Sequence, residues 1–137
     1  SKLVSQDEWD KKNIRIILNF GHTTGHAIEA AAGYLGRYTH GEAVGIGMLI
    51  ACDIAKELGV LKDSKLTERI EKTLLKFNLP IYYKALSQES VLRAMGYDKK
   101  TELGINRFVL PVSLGRTLVT KSIPVKVISN CLLKRKG

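Results

Sequence analysis

His22, His26 and His40 are the only histidines in the 137-residue chain, and all three fall within nineteen positions. The first two stand four apart in LNFGHTTGHAIE, residues 18–29. On a helix that spacing puts both rings on one face, with Cβ atoms about 6 Å apart. One divalent metal can bridge such a pair. The zinc-protease helix motif places a Glu directly after its first His, but here that position is Thr23, so water activation by that Glu is not on offer. His40, in YTHGEAVGIGM, follows a GYLGRYT loop that can fold back and bring it to the pair. Gly21 and Gly25 clear space beside each histidine of the pair. Upstream, Arg15 and Asn19 continue the spacing, so Arg15, Asn19, His22 and His26 make one polar stripe if the helix reaches back that far. The planar fork of an Arg suits a carboxylate or a phosphate. A catalytic zinc needs about three protein ligands and an open position. Local chemistry leaves open which two of the three histidines hold metal and which one moves protons. A site with only two histidine ligands draws its third from elsewhere.

These side chains need elements to hold them. Residues 20–32 favour a helix, because HAIEAAA is rich in good helix formers. GYLGRYTHG, with three glycines, breaks it. A second helix is expected from about Gly41 to Leu58, stopped by Gly59 at C′. Its middle, VGIGMLIAC, is apolar on every face and so belongs at the centre, with Gly45 and Gly47 permitting close helix packing. Leu66, Ile70, Leu74 and Phe77 form a stripe of helical period, started by Asp63 or Ser64, paired at Glu68 and Lys72, and ended by Pro80. A short fourth helix follows, with Ser87 as N-cap and Glu89 in the first turn. RFVLPVSLGRTLVT then reads as a hairpin, and Pro124 at N1 opens a last helix. The expected fold is mainly α, a single helical domain over residues 1–137 with a small β-hairpin near the C-terminus.

Composition narrows the function. A hydrophobic content of 45% is ordinary for a globular core. Cys52 and Cys131 lie in apolar runs and read as buried reduced thiols, which suits a cytoplasmic protein. No apolar run approaches the length of a membrane span, and no signal peptide opens the chain. The net charge of +9 is uneven: residues 98–137 hold nine Lys and Arg against two Asp and Glu. A basic end can serve nucleic acid, an anionic substrate or only a solvated tail. Zinc-finger spacing and aromatic–basic interleaving are missing, which leaves a basic nucleic-acid-binding module as an alternative from another class and no nucleic acid as the expectation. The opening, SKLVSQDEWDKK, reads as the middle of something longer.

RIILNFGHTTGHAIEA, then HGEAVGIGM, then DKK followed by RFVLP and a Gly, resembles the carboxyl-terminal part of the 3-dehydroquinate synthase family, the sugar-phosphate cyclases. The resemblance runs from about Val4 to the end of the chain. It implies a lyase of the shikimate pathway of aromatic amino acid biosynthesis, whose amino-terminal domain binds NAD and whose helical carboxyl-terminal domain carries most substrate and metal ligands. The implied reaction converts 3-deoxy-arabino-heptulosonate 7-phosphate to 3-dehydroquinate and phosphate. NAD transiently oxidises one hydroxyl, phosphate is eliminated, the ketone is reduced, and the ring reopens and recloses, with zinc or cobalt holding the hydroxyls. Position by position, His22 and His40 resemble the family's histidine metal ligands, and His26 the histidine that moves protons near the substrate hydroxyl and phosphate. Asn19 and Lys99 resemble phosphate-side contacts, and Arg15 the arginine on the substrate carboxylate. A membrane-free, cytoplasmic homodimer acting on a phosphorylated sugar acid is what the family implies for the full-length enzyme.

The chain departs from that pattern in several places. The family's third metal ligand is a glutamate further upstream, and an active-site lysine seven residues before the Asp7–Glu8 pair would fall just before Ser1; Lys2 is not its match. The NAD-binding domain is also absent, so this stretch alone is expected to be inactive. Thr24 stands where an apolar residue is more usual, with little expected consequence. Within the family, cyclases that make deoxy-inosose or a valiolone are the alternative; their substrates lack the carboxylate, and Arg15 and Asn19, which match the dehydroquinate pattern, argue against them.

Overall fold

The computed structural model describes residues 21–33, 38–97, 108–120 and 123–137. Residues 21–31 are helical (α1). They are followed by α2 (His40–Glu57), α3 (Leu66–Lys76), α4 (Gln88–Ala94), strands β1 (Phe108–Ser113) and β2 (Arg116–Thr120), and α5 (Val125–Lys134). The architecture is mainly helical with one antiparallel two-stranded hairpin near the C-terminus, as expected.

The helix α2 is the axis of the fold. Twelve of its eighteen residues are buried, from Ala43 to Ala55, so it presents apolar surface all round and other elements pack on every side of it. It begins one residue earlier than the sequence suggests. Thr39 is the N-cap: its hydroxyl accepts from the Glu42 N–H at 3.1 Å, while the Glu42 carboxylate accepts from the Thr39 N–H at 3.0 Å. This reciprocal capping box satisfies two donors that a helix start would otherwise leave unpaired. At the other end Gly59, with φ +74°, turns the chain out of the helix as the C′ residue.

Glycines let α2 lie against its neighbours at backbone distance. A Cβ at Gly47 would stand 2.3 Å from the Gly21 carbonyl oxygen and 2.7 Å from the Gly25 nitrogen, both on α1. The fit is reciprocal: a Cβ at Gly21 would meet the Val44 oxygen at 2.7 Å, and one at Gly25 the Val44 Cα at 3.0 Å. Gly21 and Gly25 therefore do not clear room around the histidines. They clear room for α2, on the side of α1 that faces it. Gly45 does the same for Leu74 of α3, whose Cδ2 would be 2.9 Å from an added Cβ.

The rest of the chain closes around this pair. Leu66, Ile70 and Leu74 of α3 are buried as the stripe requires, but Phe77 is 68% exposed. The helix ends at Lys76 with Phe77 as its C-cap, and the chain turns away directly afterwards at Asn78, φ +59°, so Phe77 lies past the buried stretch of the stripe. The N-cap of α3 is Lys65 with no side-chain cap, neither Asp63 nor Ser64; Asp63 still contributes, accepting from the Lys65 N–H at 3.0 Å. Ser87 caps α4 as expected. Pro124 occupies the N-cap of α5, one position before N1. In the hairpin, Phe108 and Leu110 of β1 are buried on the core and Val112 nearly so, while β2 is largely exposed. The C-terminal end of α5 is pinned by Arg135, buried at 6% exposure, whose guanidinium donates to Asp53 of α2 (2.7 and 3.2 Å) and Glu71 of α3 (2.8 Å). Burial works against its charge, but the two carboxylates outweigh that and raise its pKa above the ordinary arginine value. Cys52 and Cys131 are free and buried, and burial pushes their thiols up to about 12 and about 11, so both stay protonated.

Thr24 has a larger consequence than its place in the sequence suggests. It is fully buried, and its hydroxyl has no hydrogen-bond partner among the described residues. An unpaired buried hydroxyl costs about 1–3 kcal/mol. Thr24→Val removes it without opening a cavity, and thermal unfolding of the chain should rise by about 4 °C, corresponding to about 1 kcal/mol. A second pair of substitutions tests the helix contact. Gly47→Ala forces backbone against backbone and should lower stability in urea unfolding by about 2–3 kcal/mol. Gly41→Ala, with nothing within 4 Å of its added Cβ, should leave stability unchanged or raise it by up to about 1 kcal/mol.

Candidate metal centre

The contact between α1 and α2 determines where the histidines meet. His22 and His26 lie one turn apart on α1, and His40 is the first residue of α2, held there by the Thr39–Glu42 capping box. The three ring centroids form a nearly equilateral triangle with sides of 5.7 Å (His22–His26), 5.6 Å (His22–His40) and 5.7 Å (His26–His40). Three imidazoles around one tetrahedral zinc, with Zn–N bonds of about 2.0–2.1 Å, would have centroids about 5 Å apart. The observed triangle is somewhat wider than that arrangement, so the three rings surround a spot of the size a divalent metal of the zinc class takes, while the ligand atoms already within 4.8 Å of one another are those of His26, Glu29 and His40 and not of His22. The folding back of His40 onto the α1 pair is as the sequence suggests.

A fourth group stands in the same place, and motif reading passed over it. Glu29 accepts from His40 Nδ1 at 2.8 Å, and its Oε1 is 3.9 Å from His26 Nδ1. His26, Glu29 and His40 offer ligand atoms that all lie within 4.8 Å of one another, which makes them the tightest metal-type cluster among the described residues. The signal was present: positions 22, 26 and 29 are i, i+4 and i+7, one helical face. It was missed because Glu29 sits in the helix-forming run HAIEAAA and invites no motif. Another signal, the Thr39-x-x-Glu42 pattern, marks the start of α2 and thereby the placement of His40.

The three imidazoles differ in environment. The His26 and His40 side chains are well exposed, at 60% and 58%, whereas His22 is half-buried. Burial lowers the pKa of His22, and the neighbouring His26 and His40 lower it further against a smaller opposing pull from Glu29. A lowered pKa favours the neutral ring, the form that binds a metal. Beside His22 and His40 lies a hollow of about 440 Å³ whose wall is otherwise apolar, formed by Val44, Met48, Leu74 and Leu79. Arg15, Asn19 and Lys99 lie outside the described residues.

Among solved structures the chain is similar to 2-epi-5-epi-valiolone synthase from Streptomyces hygroscopicus, a structure with NAD+ and Zn2+ bound. The TM-score is 0.68 at 26% identity, covering 85% of this chain and 31% of that one. It also shares its fold with 2-deoxy-scyllo-inosose synthase, complexed with carbaglucose-6-phosphate, NAD+ and Co2+, at a TM-score of 0.65, 23% identity, and 85% and 34% coverage. The family described as 3-dehydroquinate synthase C-terminal matches residues 1–101, and the chain belongs to that family. Relatives named 3-dehydroquinate synthase include those of Thermoanaerobacter pseudethanolicus, 49% identical over 87% of this chain. Another, from Laribacter hongkongensis, is 42% identical over 96% of this chain. The chain spans about a third of the length of these curated relatives, 33% and 35% respectively.

The electrostatics of the triangle have a direct readout. His22 has a folded-state pKa below its ordinary value of 6.5, so its contribution to stability is present above that pH and is lost as pH falls below it. An NMR titration of the chain should place His22 below 6.5, and His26→Ala, by removing a neighbouring positive charge, should move the His22 midpoint upward. An unmoved His22 midpoint in that variant would rule out His26 as a cause and leave burial and His40.

Proposed function

We propose that this chain supplies the metal- and substrate-binding part of a 3-dehydroquinate synthase, with a separate domain furnishing NAD. The observation that carries the reading is the convergence of His22, His26 and His40 at 5.6–5.7 Å on the α1–α2 contact, in a chain of this family. In this reading His22 and His40 ligate zinc or cobalt, which when bound lowers the pKa of a coordinated substrate hydroxyl and so favours its oxidation. The lowered pKa of His22 supports a ligand role, since a ligating imidazole must be neutral. His26 takes and returns protons at the substrate hydroxyl and phosphate; its 60% side-chain exposure leaves the ring open to an incoming molecule. Arg15 grips the substrate carboxylate through a two-pronged hydrogen-bonded fork, and Asn19 and Lys99 contact the phosphate, where a cation helps an anionic leaving group depart.

The substrate class in this reading is a phosphorylated sugar acid, in line with the net charge of +9. The complete enzyme acts in the cytoplasm as a homodimer, a point that rests on the family resemblance alone. Among the described residues no helix is long and apolar enough to cross a membrane.

The test separates ligand from proton carrier in the complete enzyme. His22→Ala should lose bound zinc and activity together. His26→Ala should keep its zinc, measured by elemental analysis, while kcat falls about 10²–10⁴-fold. Loss of metal from the His26 variant would reverse the assignment. Arg15→Lys should lower kcat/KM at least tenfold for the heptulosonate phosphate and much less for an analogue with a neutral group in place of the carboxylate. Equal losses on both would mean that Arg15 acts structurally or on the phosphate, and the case against a cyclase whose substrate lacks the carboxylate would lose its main support.

A further inference from the structure

Glu29 reaches across from α1 to the first residue of α2 and accepts from His40 Nδ1 at 2.8 Å, eleven positions away in sequence. We propose that Glu29 is the positioning residue of the centre: it fixes His40 with the proton on Nδ1 and the Nε2 lone pair free for a divalent metal. The inference rests on the proposed ligand role of His40.

Three observations carry it. An ionised carboxylate can only accept, so the 2.8 Å contact requires the hydrogen on Nδ1, and in the neutral ring this leaves Nε2 as the unprotonated nitrogen free to ligate. Glu29 is itself held, at 16% side-chain exposure on the face of α1 that carries His22 and His26, whereas the His40 ring is 58% exposed and has no other hydrogen-bond partner among the described residues. The geometry also argues against Glu29 and His40 Nδ1 sharing a metal. Two ligand atoms on a tetrahedral zinc, each about 2.0–2.1 Å from the ion, lie about 3.3 Å apart, and 2.8 Å is a charge-assisted hydrogen bond instead.

Stability does not account for the contact. An ion pair with so exposed a histidine contributes at most a small amount to folding. Its effect falls on the ring: a carboxylate behind a ligating imidazole sets its tautomer, its orientation and its basicity, and such partners change metal affinity about 10–100-fold. Glu29 also stands 3.9 Å from His26 Nδ1, so the one carboxylate faces two of the three rings.

The experiment uses the 137-residue chain with ¹⁵N-labelled histidine, and Co2+ as the probe. In the wild type at about pH 8.5, two units above the ordinary imidazole pKa, two-bond ¹⁵N–¹H correlations should show His40 as the Nδ1–H tautomer. Glu29→Ala should mix the His40 tautomers and weaken Co2+ binding about 10–100-fold with the visible bands of the bound ion unmoved. Glu29→Gln, whose amide oxygen still accepts from Nδ1–H, should recover part of both. His40 unchanged in tautomer in Glu29→Ala would overturn the inference. So would altered Co2+ bands, which would make Glu29 a ligand. If His22→Ala and His40→Ala leave Co2+ binding intact, the ligand assignment fails, while the tautomer measurement still reports on Glu29 by itself. Where Co2+ binding by the chain is too weak to titrate, the tautomer alone decides. Glu29→Gln covers the case in which the alanine variant fails to fold.

Discussion

The whole arrangement depends on two helices touching at their backbones. Gly47 of α2 leaves no room for even a methyl group against Gly21 and Gly25 of α1, with clearances of 2.3 and 2.7 Å to an added Cβ. That approach brings the face of α1 bearing His22 and His26 to the N-terminus of α2, where His40 begins the helix. Helices separated by ordinary side chains stand about 8–10 Å apart. At the wider end of that range the rings of one would no longer meet the ring of the other. The cost of placing glycines inside a helix, about 1 kcal/mol each against alanine, is offset by the burial that the close contact permits.

That constraint couples stability to chemistry. The helix α2 is both the axis of the core and the element that presents His40, so the capping box that starts the helix also aims that ring at the α1 pair. Burial, and then the neighbouring His26 and His40, favour the neutral imidazole at His22. Glu29 supplies the compensating negative charge. Among the described residues the hollow beside His22 and His40 is otherwise apolar, so the polar groups they bring to this corner are the three imidazoles and Glu29.

The opposite end of the molecule is held by charge. Arg135 ties α5 to α2 and α3 through Asp53 and Glu71, at a cost in desolvation that two carboxylates repay only because three hydrogen bonds form. Removing one partner there would leave a buried charge, so the network locks the register of the helices while adding little net stability. The hairpin is less deeply involved. Only β1 contributes to the core, through Phe108 and Leu110, and β2 lies outside as an exposed strand.

What the sequence by itself determined is local. The period of Leu66, Ile70 and Leu74, the apolar middle of α2, Gly59 at its end and Ser87 at the start of α4 are each set by a few neighbouring residues, and the structure shows all of them. The same is true of the histidines: their types and spacing marked a metal-type site, and the motifs around them marked the family. Tertiary structure decided the rest. Phe77 matched the helical stripe but stands at its exposed end as the C-cap, where the chain turns away at Asn78. Gly21 and Gly25 served the neighbouring helix and not the adjacent rings. Thr24, a departure from the family pattern with little expected consequence, became a buried hydroxyl without a partner among the described residues. Glu29 acquired its role only because α2 delivers His40 to it. In each case the outcome depends on which face of an element another element covers. Spacing along the chain tells which side chains share a face, but only the packed fold tells what that face meets.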